Sequence, residues 1–131
     1  MIALSCFATS ATLVSYERKK LRQLDSFTAL IRYIRNQIDF YSVPIDRILS
    51  ECPTEILDEL GGREAKMTLE GLVGRETVVI EGEGRRIIAE LATSFGRNYR
   101  ERQVKLCDSA LSGLEAVRAA EQKSFSAKKR R

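Results

Sequence analysis

Few residues in this chain are of the types that usually do chemistry. The chain has 131 residues and no histidine, so a histidine-based triad or zinc site is excluded. Its three cysteines, Cys6, Cys52 and Cys107, are widely spaced and form no C-x-x-C pair. That spacing predicts unpaired thiols in a reducing compartment and no metal site.

Glycines and carboxylates of the middle region were the remaining candidates for a reaction. Gly82-x-Gly84 has neither the Walker spacing nor the Rossmann pattern. The nearby carboxylates have no histidine or metal motif beside them and are expected to form a solvated face: Glu81, Glu83 and Glu90. We therefore predict that the protein is not an enzyme and that it binds no cofactor and no small-molecule substrate.

Charge is divided unevenly along the chain, whose net charge is +4. Residues 1–45 carry +3, residues 46–90 carry −5 and residues 97–131 carry +6. Two basic regions around an acidic middle could bind anionic phosphate head groups at two sites, or could bind an acidic partner. They do not resemble a continuous nucleic-acid stripe. Tyr99 between Arg97 and Arg100 could stack on bases, so a basic nucleic-acid-binding bundle remains a minor alternative.

The element that must organise the chain is a helix predicted over Lys20 to Tyr41. Its apolar residues recur at steps of three and four: Leu21, Leu24, Phe27, Ile31, Ile34, Ile38 and Tyr41. The residues between them are expected to face water: Arg22, Gln23, Asp25, Arg32, Arg35 and Asn36. A helix of this length needs partners to bury its stripe, because alone it is marginal in water.

Residues 2–16, which precede this helix, contain no charged side chain. As a helix they would span about 22 Å, short of the roughly 30 Å hydrocarbon core of a bilayer. A signal peptide is one alternative. Another is a buried core helix, which would make the protein a soluble helical adaptor or protein-interaction module without a membrane role, but we favour a short membrane anchor. Four basic residues follow this segment and are predicted to flank the membrane: Arg18, Lys19, Lys20 and Arg22. By the positive-inside tendency they would hold the rest of the chain in the cytoplasm.

Shorter helices are predicted after the long one. Pro44 is suited to open a helix carrying Ile48 and Leu49. Thr54 could cap a further turn that Gly61-Gly62 closes. Residues 67–73 suggest another short helix, and residues 77–80 are expected to form an extended connection or a helix start, since they have no second strand with which to pair.

Two more helices complete the pattern. One runs from Glu83 to Phe95 and ends at Gly96, and a long one follows Asn98 as its cap. The fold class is all-α: an antiparallel helical bundle with two long helices and several short ones, preceded by a short hydrophobic segment. We expect residues 1–16 to be that segment, 17–122 the bundle domain, and 123–131 a basic tail.

One segment of the chain is Gln37-Ile38-Asp39-Phe40 followed by Pro44-Ile45, and another is Phe95-Gly96-Arg97-Asn98-Tyr99 followed by Gln103. Together with the uncharged N-terminal run and its basic residues, they resemble, over nearly the whole chain, the stage III sporulation protein AB family of endospore-forming Firmicutes. That family typically has Glu-Ile-x-Tyr-x-x-x-Pro-Leu in the first segment, and Leu-Gly-x-Ser-Asp and then a Gln in the second. Gln37 replaces an acid, and Tyr99 replaces the capping aspartate. The family also carries a further hydrophobic segment after the last helix.

The resemblance implies a fold similar to the cytoplasmic domain of the inner-membrane platform proteins of type II secretion. It implies a non-enzymatic scaffold in the mother-cell membrane, facing the cytoplasm, in the channel that feeds the forespore. The implied partners are a secretion-type ATPase, stage III sporulation protein AA, and other channel subunits. Candidate contact residues lie at the ends of the two long helices: Gln37, Asp39, Arg97, Arg100 and Gln103.

Overall fold

The computed structural model describes residues 2–41, 45–64, 67–95 and 99–129, and of residues 2–15, 45–46 and 125–129 it describes the backbone alone. Six helices make up 80% of the structure, and the described residues include no strand. The helices are α1 (Ile2–Tyr41), α2 (Ile45–Glu51), α3 (Thr54–Asp58), α4 (Leu69–Val73), α5 (Gly82–Ser94) and α6 (Arg100–Lys129). The predicted all-α bundle with two long helices is confirmed.

Helix α1 is the centre of the bundle, and its predicted apolar stripe forms the core. Six of the seven stripe residues are buried: Leu21, Leu24, Phe27, Ile31, Ile34 and Ile38. Leu30, which the stripe did not include, is also fully buried. The prediction was wrong at Tyr41, which is 69% exposed. The stripe is therefore packed along most of its length and left uncovered at the C-terminal end of α1.

The helix is also longer than predicted at its other end. It runs without interruption from Ile2, so the predicted boundary between residues 16 and 17 lies inside a helix. Likewise α6 continues to Lys129, across the predicted boundary between residues 122 and 123. Among the helices of the described residues, none combines the length and the apolarity needed to cross a membrane.

Gln23 is the largest departure from the expected pattern, because it was predicted to face water and is 0% exposed. Its side-chain amide donates hydrogen bonds to the carbonyl oxygens of Thr77, at 2.7 Å, and Glu59, at 3.2 Å. Its side-chain oxygen accepts one from the backbone N–H of Val79, at 2.7 Å. Buried backbone groups need partners, and Gln23 supplies them for two loop segments that pack on α1.

Helix α6 packs antiparallel to α1, and two ion pairs establish the register. Arg118 Nε lies 3.0 Å from Asp25 Oδ1, and Arg35 Nε lies 3.0 Å from Asp108 Oδ1. Ten residues along α1 thus correspond to ten residues back along α6. Helix α6 buries Cys107 and Leu114 on the side that faces the bundle, and its charged side chains on the opposite side, such as Lys105 and Glu115, are exposed.

Helices α2 and α3 run back along α1, and these helices and the residues that follow each of them bury apolar side chains: Ile48, Leu49, Cys52, Leu57 and Leu60. Thr54 does not cap α3 as predicted; Pro53 occupies the N-cap position, and no side chain bonds there. Gly61 and Gly62 end this segment with φ of 98° and 80°, values that glycine adopts without strain. Pro44 and the predicted caps Gly96 and Asn98 lie outside the described residues.

The region from α4 to α5 agrees with the predicted order of elements. The Thr68 hydroxyl caps α4 by accepting a hydrogen bond from the Gly71 N–H at 3.0 Å. Residues 78–80 form an irregular connection that buries Val78 and Ile80. Gly84 then lets α5 approach both long helices, because a Cβ there would lie 3.2 Å from Leu24 Cδ2 and 3.4 Å from Val117 Cγ1.

Both cysteines whose side chains are described are buried and unpaired. Burial raises the pKa of the Cys107 thiol to about 12 and also raises the pKa of Cys52. At neutral pH both are therefore neutral thiols, which are poor nucleophiles.

We expect these two thiols to resist alkylation in the folded protein. In a Cys6→Ser variant, iodoacetamide at pH 8 should modify them at least ~100-fold more slowly than in denaturant, since reaction requires opening of the bundle. Mass spectrometry of time points gives the two rates. Equal rates in buffer and in denaturant would contradict the buried environment.

Candidate interaction surface at one end of the bundle

The antiparallel register gives the bundle two chemically different ends. Continuing it from the Arg35–Asp108 pair places Tyr41 level with Arg102. Continuing it in the other direction from the Asp25–Arg118 pair places Val14 level with Lys129. The C-terminal end of α1 and the N-terminal end of α6 therefore lie together, and so do the two opposite helix ends.

Four of the five predicted contact residues meet at the first of these ends. Gln37 and Asp39 lie in the last turns of α1, and Arg100 and Gln103 lie in the first turn of α6. Arg100 is exposed and the other three are half-buried. Arg97 lies outside the described residues. Residues more than 60 positions apart in sequence are thus brought to one surface by the packing of α1 on α6.

Exposed aromatic side chains are concentrated on the same surface. Phe40 is 70% exposed, Tyr41 is 69% exposed and Tyr99 is 90% exposed. Among the described residues the fourth exposed large apolar side chain, Tyr16, is at the opposite end and is only 37% exposed. Aromatic residues left in water at one place often mark an interaction site. We call this surface the aromatic end and define it as residues 37–41 and 99–105.

The sequence pattern did not predict the aromatic residues to be surface anchors. Steps of three and four place Tyr41 in the buried stripe, and the single Tyr99 between arginines is a weak signal. One signal was usable, since Phe40 follows Ile38 by two positions and so lies on the side of the helix opposite the buried stripe.

The charges of the aromatic end are mixed, with cations in the majority. Arg102, Lys105 and Glu101 are exposed on α6. Asp39 lies 3.3 Å from Arg35 and is thereby tied to the Arg35–Asp108 pair. The hydrogen bond that Arg35 Nε donates to the Asp108 carboxylate raises the pKa of the Arg35 guanidinium, which is therefore charged at neutral pH. Such exposed pairs contribute little stability, and here they link the last turn of α1 to α6.

The opposite end, which we call the basic end, contains residues 16–22 of α1 and 121–129 of α6. Of the four predicted membrane-flanking residues, Arg18 and Arg22 are exposed and Lys19 is half-exposed. Lys20 is buried, with its ammonium 3.6 Å from Glu81, 3.8 Å from Glu121 and 5.6 Å from the centre of the Tyr16 ring. Lys20 therefore joins α1, α5's N-terminal flank and α6.

Two shallow grooves run along α6. One, of about 450 Å³, lies between α1 and α6, and the other, of about 370 Å³, lies between α5 and α6. The first is lined by both signs of charge, including Arg32 and Glu115. In the second, a hydrogen bond from Arg86 lowers the pKa of Glu83, which keeps that carboxylate charged.

Within the described residues, no group of three or more Cys, Asp or Glu could hold a metal ion.

Comparison of the chain with known protein families, with curated proteins and with solved structures finds no match in any of the three. The geometry of the aromatic end and of the basic end is therefore what bears on function, together with the short sequence segments described above.

Proposed function

We propose that this protein is a non-catalytic, membrane-associated scaffold that binds a protein partner at its aromatic end. The observation that carries the proposal is the separation of two unlike surfaces by the paired long helices. From Arg18 to Phe40, α1 rises by about 33 Å at 1.5 Å per residue. A bundle attached at one end would hold a partner at that distance from the membrane surface.

The composition of the aromatic end supports a protein partner. Tyrosine, phenylalanine and arginine are all enriched in protein interfaces, and tyrosine and arginine are among the residues that contribute most of the binding energy. A largely exposed ring such as that of Tyr99 contributes little to the fold, yet it offers a large area to bury. Because α1 and α6 are paired along their length, this surface is presented on a rigid support.

The resemblance to the stage III sporulation protein AB family supports a more specific proposal. The partner would be the secretion-type ATPase, stage III sporulation protein AA, beside other subunits of the mother-cell channel. Two of the segments that carry the resemblance contain Gln37, Asp39, Tyr99 and Gln103, and all four of these residues lie at the aromatic end. The membrane would be contacted at the opposite end, through residues 2–16 and the basic residues after them.

A pull-down with the purified ATPase tests the proposal. The double variant Tyr99→Ala/Arg100→Glu should weaken binding about 30-fold, since loss of a hot-spot residue costs about 2 kcal/mol or more. Lys123→Glu makes the same charge change at the exposed surface of the basic end and should leave binding unchanged. Equal binding by the wild-type protein and the double variant would show that the aromatic end is not the docking surface.

A further inference from the structure

We propose that the basic end binds anionic lipid head groups at the bilayer surface. This inference rests on the membrane-associated part of the proposed function and specifies its chemistry. The contact would be made by two segments of the chain, one on each long helix.

The register brings these two segments together. Arg18 and Lys19 lie near the level at which α6 passes through residues 124 and 125, and exposed Lys123 lies within the same turns. Lys128 and Lys129 lie in the last turn of α6. Cations more than 100 positions apart in sequence thus lie at one end of the bundle.

Lys20, one of the cations predicted to flank the membrane, is buried beside Glu81 and Glu121, so its ammonium does not reach the surface of the basic end. Arg22 is exposed but lies farther from the end of the bundle than Arg18 and Lys19 do. The lipid contact therefore uses the surface cations of α1 nearest the end of the bundle and the C-terminal turns of α6. Lys20 stabilises the packing beneath them.

The uncharged segment favours a bilayer over nucleic acid as the occupant of this end. Residues 2–16 carry no charge and belong to the same helix as Arg18 and Lys19. At the observed register, residues 2–13 extend past the level of Lys129, the last described residue of α6. Apolar groups can enter the head-group region while flanking cations contact phosphates, a combination that a bilayer surface accommodates.

Lysines at the C-terminal end of a helix also have a purely structural use, because they interact favourably with the helix dipole. Residues 18, 19 and 123 test the lipid contact more directly, since none of them lies in the last turn of α6. The test uses the purified full chain and vesicles of phosphatidylcholine with or without phosphatidylglycerol, separated by flotation at low and high salt.

Binding to the phosphatidylglycerol vesicles should fall about 100-fold in Arg18→Gln/Lys19→Gln/Lys123→Gln, since each cation near an anionic membrane contributes roughly fivefold. The matched control, Arg100→Gln/Arg102→Gln/Lys105→Gln, removes the same charge from the aromatic end and should bind as the wild type does. High salt should release the wild type from these vesicles. Circular dichroism of both variants verifies that they are folded.

Four results would overturn the inference: equal losses in the two variants, no loss in either, equal binding to neutral vesicles, or tighter binding to a DNA duplex than to anionic vesicles. Equal losses would indicate a response to net charge alone. The partner pull-down separates this inference from the proposed function. If the protein binds the ATPase but not the anionic vesicles, the lipid inference fails and the proposed partner site stands. If it binds the vesicles but not the ATPase, the partner site fails and the lipid inference stands.

Discussion

Replacing Gln23 with leucine is expected to lower the free energy of unfolding by about 3–5 kcal/mol. The leucine fills a similar volume but leaves the Val79 N–H and the carbonyls of Thr77 and Glu59 without their partner. Each buried polar group left unsatisfied costs about 1–3 kcal/mol, and partial relaxation of the loops toward water reduces the sum. Urea unfolding followed by far-UV circular dichroism measures the change.

Gln37→Leu is the matched control, because it makes the same substitution on the same helix at a half-buried position. It should change the free energy of unfolding by less than about 1 kcal/mol. Gln23→Glu adds a second check: it keeps the acceptor for Val79 but cannot donate to Thr77 and Glu59, and should also destabilise. If Gln23→Leu were as stable as the control, the hydrogen-bond network around Gln23 would not hold the loops.

The burial of Gln23 could be predicted from its position in the helix, although its polar side chain suggested exposure to water. Phe27, Leu30 and Ile34 follow it at steps of four, seven and eleven, which is the spacing of one helix face. Periodicity alone would have placed the side chain inside the bundle. Polarity placed it outside, because a buried polar group is expected only where a partner is available. The partners are loop backbone groups 36 to 56 residues away, and no local pattern shows them.

Most of the helical architecture was predictable for a related reason. The apolar spacing in α1, α5 and α6 reports which face of each helix is buried, and all three helices appear where that spacing is strongest. Which part of the stripe the neighbouring helices cover is a different matter. The stripe continues by spacing to Tyr41, but the structure leaves that residue exposed although α6 reaches its level. Spacing describes one helix and contains no information about where its neighbours pack on it.

The candidate surface was predictable in part. The ends of the two long helices were identified, and four of the five contact candidates lie at the same end of the bundle. Their placement depends on the antiparallel register of α1 and α6. Two long-range ion pairs show this register, and it could not be predicted from the sequence. The same register brings the two basic segments together at the opposite end. In both cases the residue types were visible in the sequence, and only the packing of α1 on α6 turns them into surfaces.

Replacing Phe27 with alanine should lower the free energy of unfolding by about 3–5 kcal/mol, the usual cost of removing a buried aromatic ring. Phe27 is 0% exposed and belongs to the central apolar cluster. Phe40→Ala is a close control, since it removes the same side chain from the same helix at a position 70% exposed. It should change stability by no more than about 0.5 kcal/mol.

Thermal and urea unfolding of the two variants, with Phe27→Leu as a milder core change, give the comparison. A loss for Phe40→Ala as large as that for Phe27→Ala would mean that the aromatic end is part of the core. A small loss would show that the fold does not need the Phe40 ring. In that case any loss of ATPase binding by Phe40→Ala would reflect contact with the partner, because the helix that carries residue 40 would be as stable as before.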